Sequence, residues 1–355
     1  MTNSKITEIN EEGRWTLSFN SLKSPSFLQS WEWGELQKRL GYSVIRVSIQ
    51  RGGVTGIAQL IIIKGRRGNF LFVPHGPMLN AESTDDIIQM TGDLVSYAER
   101  VAKKEKLNFI RIAPILENTQ ENRHIFTQLG FTAAPLYMHA ERVWQMAISA
   151  DEEQLLKQMR KTTRYSIKHA EKLGVRVEIY PSAPAEAPLL SKKTESQCID
   201  EFWNIYQVTA KREGFVPFSK SYLINEFESF NKTGSAFFVF AYEEGNRLTA
   251  AALIVCTKST AFYHQGATLH SKVPSAYLLQ WRSIQEAKKR GCKLYNFWGT
   301  YKKGRTPESW KGLSLFKEGF GGFATDYVET QDKPLNFKYY WTVLYETALK
   351  MKRFL

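Results

Sequence analysis

The sequence predicts an α/β protein in which one small α/β unit is used twice, and three observations carry that expectation. Residues 44–63 read as an apolar hairpin broken at Arg51-Gly52-Gly53, and residues 237–255 read as another broken at Glu243-Glu244-Gly245-Asn246. Each is followed by an aromatic strand closing on a glycine, Gly76 in one and Gly266 in the other, 190 residues apart. Each then continues into a helical stretch (87–106, 275–289) and a strand of buried character (108–113, 293–298). A repeat this long indicates duplicated domains, because solenoid periods run from about 20 to 50 residues.

The remaining elements fill in around that frame. Ile125-Phe126-Thr127-Gln128-Leu129-Gly130 faces Leu315-Phe316-Lys317-Glu318-Gly319-Phe320 at the same offset of 190. A strand at 142–148 leaves the first copy, so the second unit is expected to begin near Glu141. The stretch 151–174 reads as a single helix, opened by acidic residues that suit the helix dipole and closed by Gly174 as a left-handed cap. A strand at 175–180 and a proline-rich connector at 181–188 lead into the second hairpin. The expected division is therefore a first domain at 1–140, a second at 141–332, and a C-terminal helix at 333–355. That last helix is aromatic and basic. It is read as packing on the second copy, with a peripheral membrane contact as the alternative.

Composition narrows the partners. The 355 residues are 43% hydrophobic, enough for two cores, and Lys plus Arg (48) exceeds Asp plus Glu (35), for a formal charge of +13. Such a surplus favours phosphate-bearing partners. No apolar run approaches the roughly 18 to 20 residues of a membrane helix, and the N-terminus lacks a signal-peptide pattern. Three widely spaced cysteines, Cys198, Cys256 and Cys292, argue against a disulfide framework or a zinc cluster. A reducing, cytoplasmic setting is expected, with or without contact at the inner membrane face.

One charged pattern stands out. On the helix at 151–174, Leu156, Met159, Thr163, Ile167 and Ala170 form a packed stripe, while Arg160, Arg164, Lys168 and Lys172 step by four along one edge. Only Glu171 interrupts the cations, so the edge repels itself unless phosphates meet it. It can equally be a solvated surface. Familiar catalytic sets are missing: the six histidines show no metal-binding spacing, and there is no P-loop, nucleophile elbow or dinucleotide fingerprint. No metal site is expected.

Several segments together resemble the FemABX family of aminoacyl-tRNA-dependent peptidyltransferases, in its compact form without a coiled-coil arm. They are the basic stretch 159–175, Phe262-Tyr263-His264-Gln265-Gly266-Ala267, Tyr277 to Trp281, Tyr295 to Gly299, Gly312 to Gly321, and the opening Ser26 to Trp33. The resemblance implies two GNAT-like acyltransferase folds in tandem, each a mixed sheet flanked by helices. It implies transfer of an amino acid from aminoacyl-tRNA, a co-substrate needing no further cofactor, to the stem-peptide amine of UDP-MurNAc-pentapeptide or lipid II.

By the same resemblance Lys317 acts on the acyl carbonyl, Phe316 and Tyr263 line the substrate site, Arg212 suits a phosphate, and Arg160, Arg164, Lys168 and Lys172 meet the tRNA. Where the family places a lysine after the opening tryptophan this chain has Gln37, with Lys38 one step along. The repeat also singles out Lys317, since its counterpart is Thr127 and a lysine between Phe316 and Phe320 needs a reason to be there. A snorkelling side chain with its ammonium in solvent is the plain alternative. Two other functions remain open: an acetyl-CoA-dependent N-acyltransferase, and a non-catalytic RNA-binding protein.

Overall fold

The computed structural model describes residues 4–23, 25–66, 68–181 and 193–352. The connector read at 181–188 lies outside them except for Pro181. The first copy supplies β1 (Lys5–Glu8), α1 (Glu12–Asn20), α2 (Trp31–Arg39), β2 (Ser43–Arg51), β3 (Val54–Gly65), β4 (Gly68–Pro74), β5 (Met78–Leu79), α3 (Thr84–Lys104), β6 (Phe109–Ala113), α4 (Gln120–Gln128) and β7 (Thr132–Ala133). There follow β8 (Arg142–Ala147), α5 (Glu152–Gln158) and α6 (Lys161–Lys172). The second copy then supplies β9 (Arg176–Tyr180), α7 (Glu195–Glu213), α8 (Lys220–Asn231), β10 (Ala236–Glu243), β11 (Arg247–Cys256), β12 (Thr260–Thr268), α9 (Ser275–Lys289), β13 (Leu294–Gly299), α10 (Trp310–Glu318) and β14 (Phe323–Asp326). β15 (Gln331–Pro334) and α11 (Tyr339–Lys352) come last.

The two runs match element for element apart from the short β5, as the repeat requires. The hairpin turns fall where glycine permits positive φ, at Gly52 (52°) and Gly53 (89°) in one copy and at Gly245 (69°) in the other. Helices start at polar caps: the Ser83 hydroxyl accepts from the Asp86 N–H, and Thr194 with Gln197 forms a capping box on α7. α3 and α9 each connect a pair of parallel strands, β4 with β6 and β12 with β13, whereas the hairpins β2–β3 and β10–β11 are antiparallel. Both sheets are therefore mixed, with α3 covering Leu60, Leu71 and Ile110 and α9 covering Val239, Ala252 and Phe297.

Among the described residues the first sheet runs β1-β2-β3-β4-β6-β15-β7 and the second β9-β10-β11-β12-β13-β8-β14. In each, the strand in the sixth place comes from outside the run. β8 follows the first copy in sequence yet belongs to the second sheet, and β15 follows the second copy yet belongs to the first. The chain accordingly divides into one unit of residues 1–143, 299–313 and 325–355 and another of residues 144–298 and 314–324. The expected boundary near 141 corresponds to the first crossing at 143. The expected single stretch 141–332 does not, because residues 299–313 and the segment from 325 onward, which holds β15, belong to the first unit.

Two further expectations are corrected. The helix at 151–174 is two helices, α5 and α6, separated at Met159, whose ψ of 152° is extended. There the Arg160 N–H donates to the Gly319 carbonyl at 2.9 Å instead of continuing the helix, and the Arg164 guanidinium caps the carbonyls left at the end of α5. Gly174 does close α6 in the left-handed region, at φ 71°.

The C-terminal helix packs on the first unit, not the second. Arg111 of β6, 1% exposed, explains why. Its guanidinium donates to both carboxylate oxygens of Asp332 on β15 (2.7 and 2.7 Å) and of Glu346 on α11 (2.9 and 2.8 Å). Both carboxylates are fully buried, and the Tyr339 hydroxyl donates to Asp332 at 3.2 Å. Removing one side of such a buried cluster leaves uncompensated charge. Arg111→Ala is expected to cost about 3–5 kcal/mol in urea unfolding, and a loss too small to measure would contradict this role.

Candidate active site

Parallel pairing of β12 with β13 covers Thr260–Phe262 against Leu294–Asn296 and then stops, although both strands continue. The equivalent ladder in the first sheet reaches two residues further, from Phe70–Phe109 to Pro74–Ala113. The second sheet therefore opens early at the carboxyl ends of its parallel strands, the position where α/β sheets accommodate ligands. Where the ladder ends, the Asn296 side chain accepts the Trp298 N–H at 2.8 Å, and Trp298 sits at a φ of 65°.

Tyr263 is the first residue of β12 past the last pair. Opposite it β11 and β12 lose register, with Leu253 facing Gln265 but Ile254 facing Tyr263, so His264 is the extra residue of a bulge. Tyr263 folds over Gly266: a Cβ at 266 would lie 1.9 Å from the phenol oxygen. The glycine that marks the repeat thus makes room for the tyrosine. Burial raises the Tyr263 phenol to about 12, with the Gln280 amide working against the shift.

Lys317 lies near the end of α10, 4% exposed, with its ammonium 5.8 Å from the centre of the Tyr263 ring. Snorkelling into solvent is thereby ruled out. Burial pushes its pKa down to about 7. Its sequence neighbours pack on aromatic rings: Phe316 meets Tyr277 edge-on at 4.9 Å, and Phe320 packs on Phe297 at 5.4 Å. The repeat aligns Lys317 with Thr127, but the helices do not bury the same face. α4 turns Ile125 and Phe126 inward and leaves Thr127 exposed, whereas α10 turns in Ser314 and Lys317.

The basic edge joins this site through α10. Arg160, besides its backbone bond to Gly319, donates to Glu318 at 3.2 Å, and Arg164 braces the end of α5. Two of the four cations thus hold α6 in place. Lys168 and Lys172 face solvent, accompanied by Lys161 on the same helical face. Sequence reasoning passed over Tyr165, which is 66% exposed on that face and stacks on His169 at 5.5 Å. The signal was available, since residues 161, 165, 168 and 172 share one face at helical spacing.

The other expected residues are placed differently. Arg212 of α7 donates to the Thr268 carbonyl (2.6 Å) and hydroxyl (2.9 Å) and to Glu213 (2.7 Å), tying α7 to the end of β12. Lys38 belongs to the first unit, where it pairs with Glu35 at 2.9 Å and lies 5.4 Å from the Trp31 ring. The sequence also concealed a fully buried Glu226 on α8, whose carboxylate is 2.9 Å from His264 Nε2. Among the described residues no group of three or more His, Cys, Asp or Glu side chains is placed to hold a metal ion.

The lysine carries a stability signature. Folded, it ionises near pH 7; its ordinary value is 10.5. Between those values the unfolded chain holds more protons, so stability rises with pH across the window and the penalty is complete below pH 7. Lys317→Met is expected to be more stable than the parent at pH 6, on the order of a few kcal/mol, with the gain shrinking towards pH 10. Urea unfolding at both pH values checks this.

With that geometry in place, similarity to known proteins can be stated. A model of the FemAB family matches residues 17–248 and again 223–347. The lipid II:glycine glycyltransferase of Staphylococcus aureus is 23% identical over 221 residues, covering 59% of this chain and 48% of that protein. The chain spans about half the length of the curated relatives it matches. The crystal structure of FemX superposes with a TM-score of 0.79 at 18% identity, over 96% of this chain and 100% of FemX. L-PGS from Bacillus licheniformis reaches 0.51 at 13% identity, over 82% of this chain and 85% of that one. Matched by the family model over most of its length, the chain belongs to the FemAB family.

Proposed function

We propose that the chain is an acyltransferase that moves an amino acid from aminoacyl-tRNA to the stem-peptide amine of a peptidoglycan precursor, in interpeptide bridge formation. The observation that carries this reading is the enclosed Lys317 ammonium facing Tyr263 where β12 and β13 part. Membership of the FemAB family and likeness to a relative named for glycine transfer involving lipid II support it.

The ester is already activated, so alignment and charge stabilisation suffice. The acceptor amine adds to the ester carbonyl, a C–N bond forms, and the carbonyl oxygen becomes an oxyanion. Protonated Lys317 donates to that oxygen; one fixed donor in a low-dielectric enclosure is worth about 3–4 kcal/mol. Collapse breaks the ester C–O bond, and the tRNA 3′ oxygen leaves as a hydroxyl. An ammonium that ionises near neutrality gives up its proton readily, so Lys317 can supply the one this oxygen takes and is restored by the proton that the attacking nitrogen sheds, through solvent, as it becomes an amide. Phe316 and its aromatic neighbours keep water from the ester.

The outer face of α6 suits the tRNA. Lys161, Lys168 and Lys172 offer cations to phosphates, and Tyr165 offers a plane on which an unpaired base can stack. Lys38 and Arg212 are the candidates for phosphates of the precursor, whether nucleotide-linked UDP-MurNAc-pentapeptide or lipid II. Among the described residues no helix is long and apolar enough to cross a membrane.

Radiolabelled aminoacyl-tRNA incubated with either precursor tests the proposal, with acetyl-CoA as the competing donor. Lys317→Ala is expected to lower turnover about 100-fold or more while precursor binding persists; near-normal turnover, or turnover with acetyl-CoA alone, overturns the reading. Replacing Lys168 and Lys172 by alanine should weaken tRNA binding for every sequence and reduce the salt dependence by about two ion equivalents.

A further inference from the structure

α11 is amphipathic in the inverted sense. Its inward face carries Thr342, Glu346 and Tyr339, all buried, with Glu346 held by Arg111 and Tyr339 by Asp332. The outward face carries the apolar side chains. Phe337 just before the helix, then Tyr340, Trp341, Leu344, Tyr345 and Met351, are all exposed, Trp341 at 71% and Leu344 at 63%. At about 100° per residue these positions fall on one side of the helix. The rotation is not free. Turning the aromatics inward would pull Glu346 off Arg111 and leave charge unpaired in the core of the first unit.

The charge on this face has one sign. Lys338 and Lys352 accompany the aromatics, and the single acidic residue between 337 and 352 is the buried Glu346. Tryptophan and tyrosine with an apolar body and a polar tip, flanked by lysines and free of carboxylates, match the boundary between headgroups and acyl chains of an anionic bilayer. A contiguous exposed apolar patch of this kind marks an interaction site.

We propose that the outward face of α11 docks the protein on an anionic lipid surface, the aromatics entering the headgroup boundary and the lysines meeting lipid phosphates. The buried Arg111–Asp332–Glu346 cluster fixes the side that faces the lipid. This goes beyond the transferase reading and does not require it.

The test uses the full chain and sedimentation with phosphatidylcholine vesicles, with and without phosphatidylglycerol. The parent is expected to bind vesicles containing phosphatidylglycerol, less so as salt rises. The double variant Trp341→Glu, Leu344→Glu should bind at least about tenfold more weakly, with unchanged urea unfolding because both side chains stand in solvent. Lys338→Ala with Lys352→Ala should lower binding to the anionic vesicles alone. Failure of the parent to bind, or equal binding by the glutamate variant, overturns the proposal. So does a parent dimer that the glutamate variant converts to monomer, since the face would then belong to a second copy. Transfer to UDP-MurNAc-pentapeptide or to detergent-solubilised lipid II should be the same in parent and glutamate variant; absence of transfer to either precursor from both proteins would count against the transferase reading and leave the vesicle result standing.

Discussion

The guanidinium of Arg111 is the contact on which the architecture of the first unit depends. It sits in the middle of β6, beside Phe70 and Phe109, and grips two carboxylates that arrive more than 200 residues later. Without that grip β6 would be left beside β7 with no strand between them, because β15 is the element that pairs with both. A buried cluster of this sort contributes less net stability than its bonds suggest, since each charge must first be taken out of water. Its larger effect is selective. Only one register of β15 and one rotation of α11 satisfy Arg111, so the returning chain has a single way to close.

The second unit solves a different problem with its own buried cation. Lys317 is buried beside the Tyr263 ring, where its charge is poorly solvated, and the fold tolerates that penalty next to an opening in the sheet. Such a trade is expected of a working group, because a destabilised ammonium is a strong donor to any negative charge that develops beside it. The opening itself has a backbone cause: the parallel ladder ends at Phe262, the bulge at His264 redirects β12, and Gly266 leaves space for the phenol of Tyr263. The first sheet has a longer ladder, with Val73 in the place of Tyr263. The two similar scaffolds thus differ at a few positions.

Much of this was legible in the chain. Alternating apolar hairpins with glycine turns, and buried strands after amphipathic helices, express local preferences that recur wherever the sequence recurs, so the duplicated α/β unit could be read directly. Lys317 was legible because the repeat offers an internal comparison, with Thr127 at the matching place, and Tyr263 because it falls in a stretch that resembles the family. The break between α5 and α6 was hidden. The stripe Leu156, Met159, Thr163 keeps helical spacing straight through it, and the competing partner for the Arg160 N–H, the carbonyl of Gly319, is remote in sequence.

By itself, then, the sequence determined the repeated unit, the order of its elements, the basic edge and the identity of the odd lysine, all of which depend on neighbours within a few turns or on comparison at a fixed offset. Tertiary structure alone decided which sheet received β8 and β15, which face of α10 turned inward, and which face of α11 turned outward. Those choices depend on pairings such as Arg111 with Glu346, 235 residues apart, where the free energy of burying a charge outweighs any local preference for hiding a tryptophan.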